Sequence, residues 1–221
     1  MKLPISERLL ACCNFACKGD RVADIGCDHG YLSIHLLTQG IAKSCIASDV
    51  NEAPLQSAMR NARKYGVANK MEFCLSDGLN RLPRDFDCMV CAGMGADTII
   101  HILEDAPWLK AEQYQLILQC QSKTPTLRKY LSDNGWHITR ESILREGTFL
   151  YTVMNVVWDP AALRLTPGQC YISPVLCGSE EDVIAYRKRI IGGLRLAVGH
   201  QNDPEKASIL SELENHKEDI I

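Results

Sequence analysis

The sequence predicts an α/β fold in which a mostly parallel sheet is followed by a small helical hairpin. Three observations support this class. Short apolar runs alternate with helical segments, as is typical of βαβ units. Two further strand-like runs then flank a turn, and the end of the chain changes to two helical stretches.

The alternating part of the chain accounts for the parallel strands. The strand-like runs are residues 21–26, 44–50, 71–76, 87–92 and 116–119. The helical segments between and after them are residues 31–39, 53–65, 97–103 and 126–133. Because each strand is followed by a helix that can cross back over the sheet, this order predicts parallel pairing.

A reversed pair of strands follows. Residues 136–144 and 151–158 flank the turn-forming stretch 145–148, which predicts an antiparallel hairpin. A parallel five-stranded sheet completed by such a hairpin gives seven strands. This is the Rossmann-like architecture of the class I S-adenosylmethionine-dependent methyltransferases. We therefore expect residues 1–158 to form one domain of this kind.

Residues 159–221 are expected to form a linker and a C-terminal helical, coiled-coil-like arm. Turns at Pro160, Pro167 and Pro174 mark the linker, and residues 180–198 and 204–219 suit an antiparallel helical hairpin. Such an arm serves packing or oligomerisation, or it contacts RNA through basic residues such as Arg187 and Arg195. The sequence leaves these alternatives open.

The composition is that of an ordinary globular protein, with 46% hydrophobic and 23% charged residues among 221. No apolar stretch reaches the ~20 residues of a membrane span, and the first residues lack the apolar region of a signal peptide. We therefore expect a cytoplasmic protein with no membrane partner. The net charge of −3 does not indicate nucleic-acid binding. Residues 121–145, with five Lys or Arg against two Asp or Glu, fit either a local basic face or a solvated surface.

The 11 cysteines are interpreted mostly as buried thiols, because their number is odd and many lie in apolar runs. Cys88 and Cys91 have a spacing found in metal and redox sites, but no second pair completes a tetrahedral site. We therefore predict no metal.

The most informative stretch follows the first strand, where Asp24, Gly26, Cys27, Asp28 and Gly30 form an acidic loop ahead of a helix. Glycines permit close backbone approach to a ligand, and amides that open a helix hold its polar groups. A dinucleotide fingerprint requires glycine where Asp28 stands, and a carboxylate there would repel a pyrophosphate. The loop favours a cationic nucleotide-like ligand such as S-adenosylmethionine; the alternative is an ordinary βα turn with two glycines.

Acidic residues also end the second and third predicted strands. Asp49, about twenty residues after Gly30, is placed to bind a ribose hydroxyl with Val50 beside it, or to cap the next helix. Asp77 and Gly78 either face the adenine or form an ordinary Asp-Gly turn. Because ligands of open α/β sheets collect at the carboxyl ends of the strands, the set as a whole favours a cofactor site.

Three stretches carry a resemblance to a known family: residues 3–9 (LPISERL), 24–32 (DIGCDHGYL) and 92–96 (AGMGA). With these motifs the chain resembles, over nearly its whole length, the bacterial TrmK family of tRNA (adenine(22)-N1)-methyltransferases. The resemblance implies methyl transfer from S-adenosylmethionine to N1 of adenosine 22 in tRNA. The chain departs from the family at residues 118–121, where Leu-Gln-Cys-Gln stands in place of Leu-Gln-Pro-Asn.

Within this interpretation, Asp28 and His29 are the catalytic candidates. Asp28 would accept a hydrogen bond from N6 of the adenine, or contact the amino-acid part of the donor. His29 would assist proton removal, stack on the base or cap the helix. The remaining candidates for cofactor binding are Ala92, Gly93 and Met94, and those for tRNA contact are Arg8, Tyr31, Gly95, Lys123 and Arg128.

Competing functions remain at this point. The chain could methylate another RNA position or a small molecule, or bind RNA without catalysis on a methyltransferase-like fold. A nicotinamide-dependent oxidoreductase is disfavoured by Asp28 in the loop. The expected partner is tRNA, and a monomer is favoured over an oligomer.

Overall fold

The computed structural model describes residues 3–16, 20–201 and 203–215. Its strands are β1 (Asp20–Ile25), β2 (Ala42–Asp49), β3 (Met71–Leu75), β4 (Cys88–Met94), β5 (Gln115–Cys120), β6 (Trp136–Glu146), β7 (Phe149–Trp158) and β8 (Leu176–Cys177). Its α-helices are α1 (Glu7–Cys13), α2 (Tyr31–Thr38), α3 (Glu52–Lys64), α4 (Ala96–Glu104), α5 (Thr124–Asp133), α6 (Pro167–Tyr171), α7 (Glu180–Gln201) and α8 (Pro204–Asn215).

The strands form one sheet in the order β3-β2-β1-β4-β5-β7-β6-β8. Strands β1 to β5 pair in parallel, and β7 lies antiparallel between β5 and β6. Gly147, with a φ of 60°, occupies the two-residue turn that joins β6 to β7, a position that favours glycine. The predicted methyltransferase-like sheet with its antiparallel hairpin is therefore confirmed.

The segment after β7 contains more structure than the sequence predicted. The stretch interpreted as a linker forms α6, whose cap residue Thr166 makes a capping box with Gln169. It also contributes β8, which pairs in parallel with β6, so that the sheet has eight strands where seven were expected. Helix α7 extends past the predicted end at Val198 to Gln201, and the last four residues predicted for the second helix lie outside the described residues.

Separate hydrophobic clusters cover the two faces of the sheet, and β4 shows how its side chains are divided between them. Cys88 packs in the cluster with α2 and α3, whereas Cys91 packs in the cluster with α4 and α5. Residues three apart on a strand point to opposite faces. The two thiols therefore cannot bind one metal ion, and both serve as small buried hydrophobes.

A third cluster joins the C-terminal helices to the sheet. It combines side chains of β6, β7 and the segment after them, namely Ile143, Leu150, Ile172, Tyr186, Leu194, Ile209 and Leu213. The C-terminal arm thus packs on the hairpin side of the sheet, and its contact includes one charged group, described next.

The prediction that Arg128 contacts tRNA phosphates is wrong. Its side chain is completely buried and pairs with Glu141, which is buried equally. Nε and Nη2 donate to the two Glu141 carboxylate oxygens at 3.0 and 2.6 Å, and Nη2 also donates to the Tyr186 hydroxyl at 3.1 Å. Nη1 donates to the carbonyls of Cys170 and Tyr171 at 2.9 Å each. All five N–H groups of a guanidinium are thereby used, and Arg128 is a structural residue.

Candidate active site

A cleft opens between the start of α1 and the carboxyl ends of β1, β4 and β5. Its volume of about 310 Å³ is in the range of small-molecule sites. Seven of the residues predicted for the site line it: Arg8, Asp24, Gly26, Cys27, Asp28, Ala92 and Gly93. The remaining lining residues are Ser6, Leu9, Leu32, Gln119 and Gln121. The structure therefore brings the first loop and the end of β4 together, as the sequence predicted.

The loop between β1 and α2 owes its shape to residues with left-handed backbone. Gly26, Asp28 and Gly30 have φ values of 71°, 48° and 71°. A Cβ on Gly30 would lie 2.9 Å from the Ala58 Cβ on α3, so the loop can approach that helix only with glycine here. Asp28 is one of the few residue types that tolerate this region, and strained backbone of this kind clusters at functional sites.

Asp24 is a buried acid at the base of the cleft, with 4% of its surface exposed. Burial raises its pKa to about 6, although the Ser33 hydroxyl, which donates to Oδ2 at 2.8 Å, opposes that shift. A nearby cation would favour the ionised form of such a carboxyl. Cys27 is also buried, and burial raises the pKa of its thiol, so that it lines the cleft as a neutral group.

Asp49 ties the end of β2 to the loop. Its carboxylate accepts the backbone N–H of Asp28 at 3.3 Å and that of Asn51 at 2.9 Å. The cap residue of α3 is Asn51, so Asp49 does not occupy the helix-cap position that was its alternative. It is 8% exposed and lies behind the cleft lining, where it orients the loop.

Val50, Asp77 and Gly78 follow β2 and β3 at the same edge of the sheet, outside the lining of the cleft. The Ser76 N–H donates to the Asp49 carbonyl at 3.0 Å, which holds the two strand ends together. Val50 is 60% exposed, an unusual state for an apolar residue at the end of a buried strand. Its contact with an adenine, like those of Asp77 and Gly78, stays a prediction.

The end of β4 forms the wall of the cleft opposite the glycine loop. Gly93, with a φ of 81°, donates its N–H to the buried Gln119 side-chain oxygen at 3.0 Å. The second Gln119 hydrogen bond goes to the Cys120 carbonyl at 3.3 Å. The terminal methyl of Met94 lies so close to Gly26 that any side chain at position 26 would displace it. Met94 therefore packs against the loop, outside the cleft lining.

Asp28 and His29 lie at the mouth of the cleft. Their side chains are 71% and 52% exposed, and the carboxylate lies 3.7 Å from His29 Nε2. The His29 ring is also 5.7 Å from the Tyr31 ring. His29 does not cap α2, because the cap position belongs to Gly30. The mouth thus offers an acid and two rings to an incoming group.

Two of the predicted tRNA contacts are already paired with acids. Arg8 lines the cleft, where its Nε lies 2.6 Å from Glu146 and its guanidinium lies 4.9 Å from the centre of the Tyr151 ring. Lys123 is exposed at the start of α5 and pairs with Asp97 at 2.6 Å. Contact of either residue with tRNA stays a prediction.

Gly95 occupies the cap position of α4, beyond the cleft lining. A Cβ there would lie 3.0 Å from the Ser122 Oγ, and the Ala96 N–H donates to the Ser122 carbonyl at 3.1 Å. Gly95 therefore allows the loop after β5 to approach the end of β4.

The sequence reasoning missed Gln119 as a site residue. A glutamine at the end of the apolar run 116–118 was the available signal, because a polar side chain there requires a hydrogen-bond partner. Ser6, Leu9 and Leu32 gave no such signal, since they reach the cleft only through the packing of α1 and α2.

Among residues 3–16, 20–201 and 203–215, no three His, Cys, Asp or Glu side chains converge as metal ligands. In the same residues, no helix has the length and apolar character needed to cross a membrane.

Comparison with known proteins places the chain among methyltransferases. The methyltransferase domain family matches residues 5–154. A Mycoplasma pneumoniae protein provisionally named a tRNA methyltransferase is 35% identical over 158 residues, which cover 69% of this chain and 71% of the relative. The tRNA (adenine(22)-N(1))-methyltransferase of Bacillus subtilis is 30% identical over 154 residues, which cover 69% of this chain and 65% of that enzyme.

Solved structures agree over the full length. A Streptococcus pneumoniae protein described provisionally as a tRNA (m1A22) methyltransferase, in complex with S-adenosyl-L-methionine, has a TM-score of 0.81 at 31% identity, covering 95% of this chain and 99% of that one. The Bacillus subtilis m1A22 tRNA methyltransferase TrmK has a TM-score of 0.78 at 24% identity and coverage of 99% and 97%, a likeness of fold. The matching domain, the sequence identities and the shared fold show that the chain belongs to the TrmK family of methyltransferases.

Proposed function

We propose that this protein transfers a methyl group from S-adenosylmethionine to N1 of adenosine 22 in tRNA. The observation that carries the choice of donor is the acidic character of the cleft, and the choice of acceptor is supported by the relatives named for methylation of adenosine 22 in tRNA. Asp24 and Asp28 line it, and the Arg8 cation in its wall is already paired with Glu146. A cleft of this charge attracts a cationic ligand and repels a pyrophosphate.

The residues present fit such a donor. The buried Asp24 would gain stability in its charged form from a cationic group, and the glycine loop brings backbone amides to the start of α2. Asp49 holds that loop at the end of β2, the position where nucleotide riboses are bound in open α/β sheets. The related Streptococcus pneumoniae protein binds S-adenosyl-L-methionine, which supports the same donor here.

When bound, S-adenosylmethionine supplies an electrophilic methyl group on a positively charged sulfur. Neutral adenine has a lone pair on N1, so no base is required before attack. The new N1–methyl bond forms as the methyl–sulfur bond breaks, and the sulfur retains that electron pair. The main task of the chain is to hold N1 in line with the methyl group, which contributes up to about 7–11 kcal/mol.

Asp28 acts on the charge that develops during transfer. Methylation leaves a positive charge on the base that extends to N6, and a carboxylate that accepts a hydrogen bond from N6 stabilises it. Asp28 lines the cleft at its mouth, and Asp49 fixes its backbone N–H. N1 lies on the Watson–Crick edge, so the adenine must leave its pair or stack before it reaches Asp28.

The proposal is tested with unmodified tRNA transcripts and donor labelled in the methyl group. We expect label in tRNA, recovery of 1-methyladenosine after digestion to nucleosides, and no product from a transcript with guanosine at position 22. Label in another nucleoside would indicate a different RNA position. Tight tRNA binding without any donor-dependent turnover would indicate a non-catalytic RNA-binding protein.

A further inference from the structure

A second cavity adjoins the cleft at the same edge of the sheet. Gln121, Thr124, Phe149, Tyr151, Tyr186 and Arg189 are among the residues that line this cavity, here named the aromatic pocket. Gln121 also lines the donor cleft, so the two cavities share a wall. The volume of the aromatic pocket is about 230 Å³, below the ~300 Å³ at which sites for whole drug-sized ligands begin. It suits one flat ring system.

Phe149 gives the pocket an exposed aromatic surface. It begins β7 and is 62% exposed, so it contributes little to the core. Its ring lies 6.2 Å from that of Tyr151, whose face is covered by the Arg8 guanidinium from the cleft side. Exposed rings next to cations are the usual surface on which unpaired bases of single-stranded nucleic acids stack.

The charge around the pocket also suits RNA. Arg189 is exposed at its rim, with its guanidinium 5.3 Å from the centre of the Tyr186 ring, and it donates to the Leu150 carbonyl at 3.4 Å. The bond to Leu150 uses only one of its five N–H groups, so the others can meet a phosphate. The donor cleft is acidic, whereas the aromatic pocket has a cation at its rim.

Gln121 is placed to read the base. It is exposed between the two cavities, and its Nε2 lies 3.6 Å from the position that a Cβ on Gly93 would occupy. A carboxamide pairs with adenine by donating to N7 and accepting from N6. That pairing uses the edge opposite to N1, so N1 stays free to face the donor. Guanine offers two acceptors on the same edge and would leave the amide oxygen of Gln121 unpaired.

We propose that the aromatic pocket receives the acceptor adenine, stacked on Phe149 and paired through N6 and N7 with Gln121. This inference rests on the proposed function, because it names the residues that hold the base which that function methylates. Gln121 is then a specificity residue, and Asp28 accepts the other N6 hydrogen on the side of N1.

The experiment uses the full chain and tRNA transcripts that carry either adenosine or 7-deazaadenosine at position 22. The second base lacks only the N7 acceptor. With wild-type protein we expect kcat/KM to fall about fivefold on the 7-deaza transcript, the loss of one hydrogen bond. Gln121→Leu removes the bonds to both N7 and N6, so it should lower kcat/KM at least as much on the adenosine transcript, and it should then methylate the adenosine and 7-deaza transcripts equally well.

Substitutions of Phe149 provide an independent test of the proposal. Phe149→Ala should lower kcat/KM for tRNA about tenfold through lost stacking, with Phe149→Trp near wild type. Donor affinity measured by calorimetry should not change. Leu163→Ala is the matched control, because Leu163 is 95% exposed and lies outside both cavities.

The outcomes separate the two proposals. If wild-type protein makes no 1-methyladenosine in tRNA, the proposed function fails, and this inference falls with it. If wild-type protein methylates both transcripts equally well and Phe149→Ala retains full activity, the function stands and the assignment of the aromatic pocket is wrong. Unequal transcripts with an additive further loss in Gln121→Leu would assign N7 recognition to another residue.

Discussion

Replacement of Arg128 by Met should be among the most damaging single changes in this fold. The substitution keeps an unbranched side chain of similar length but leaves the completely buried Glu141 carboxylate without its guanidinium partner. It also leaves the Tyr186 hydroxyl and the carbonyls of Cys170 and Tyr171 without the N–H groups that they contact.

The magnitude follows from burial. Burial by itself lowers the pKa of Arg128, but the Glu141 carboxylate and the Tyr186 hydroxyl outweigh it and raise the pKa above its usual value. The guanidinium thus stays charged in the fold, and each of its N–H groups has a partner. Breaking a buried pair costs about 3–5 kcal/mol, a large fraction of the ~5–15 kcal/mol that separates folded from unfolded domains.

Urea unfolding followed by circular dichroism measures the loss. The double variant Arg128→Met with Glu141→Leu should recover much of the free energy of unfolding, because no buried charge remains unpaired. Lys129→Ala is the surface control, since Lys129 pairs with Asp133 in solvent and should not change the midpoint measurably. A loss below about 1 kcal/mol in Arg128→Met would refute the reasoning, because that is the value of an exposed pair.

Three further predictions concern the cleft. Asp28→Asn should reduce single-turnover methylation about 10²–10³-fold at saturating donor and tRNA, with little change in donor affinity; a parallel collapse of donor affinity by calorimetry would make Asp28 a donor ligand. Asp49→Ala should weaken donor binding by about 1.5–3 kcal/mol, because the Asp49 carboxylate accepts the backbone N–H of Asp28 in the loop as well as that of Asn51 before α3; an unchanged donor affinity by calorimetry would contradict this. Burial raises the pKa of Asp24 from 3.8 to about 6. The neutral form of Asp24 therefore contributes ~3 kcal/mol to the free energy of unfolding below pH 4, and this contribution is lost as the pH rises through 6. Without donor, Asp24→Asn should remove that part of the pH dependence of urea unfolding; identical profiles for both proteins would contradict the assignment.

The sheet was predictable because its signals are local. Apolar runs alternate with helices from β1 to β5, and turn-forming residues separate β6 from β7. Strand β8 was missed because two residues carry no periodic pattern, and α6 was missed because its proline and glycine, Pro167 and Gly168, were interpreted as breaks.

The site was predictable where glycines and acids mark strand ends, and less so elsewhere. The left-handed backbone of the loop from Asp24 to Gly30 is indicated by residue type alone, because its glycines and Asp28 are types that tolerate it. Arg128 gave a misleading signal, because a basic residue among other basic residues is usually exposed. Its partner Glu141 lies 13 residues further along the chain on β6, and Tyr186 lies 58 residues further along on α7. The three side chains meet only because α5 and α7 both pack against β6.

The short strand β8 also protects the open edge of the sheet. An uncovered edge strand offers its backbone groups to any other chain and so promotes aggregation. Here the Glu141 N–H donates to the Val175 carbonyl at 3.2 Å, and the Cys177 thiol donates to the Glu141 carbonyl at 3.1 Å. The covered stretch includes the backbone of Glu141, so loss of β8 would leave the Glu141 N–H and carbonyl on β6 without these partners at the edge of the sheet. Variants that weaken residues 175–177 should therefore self-associate under conditions where the rest of the fold is still intact.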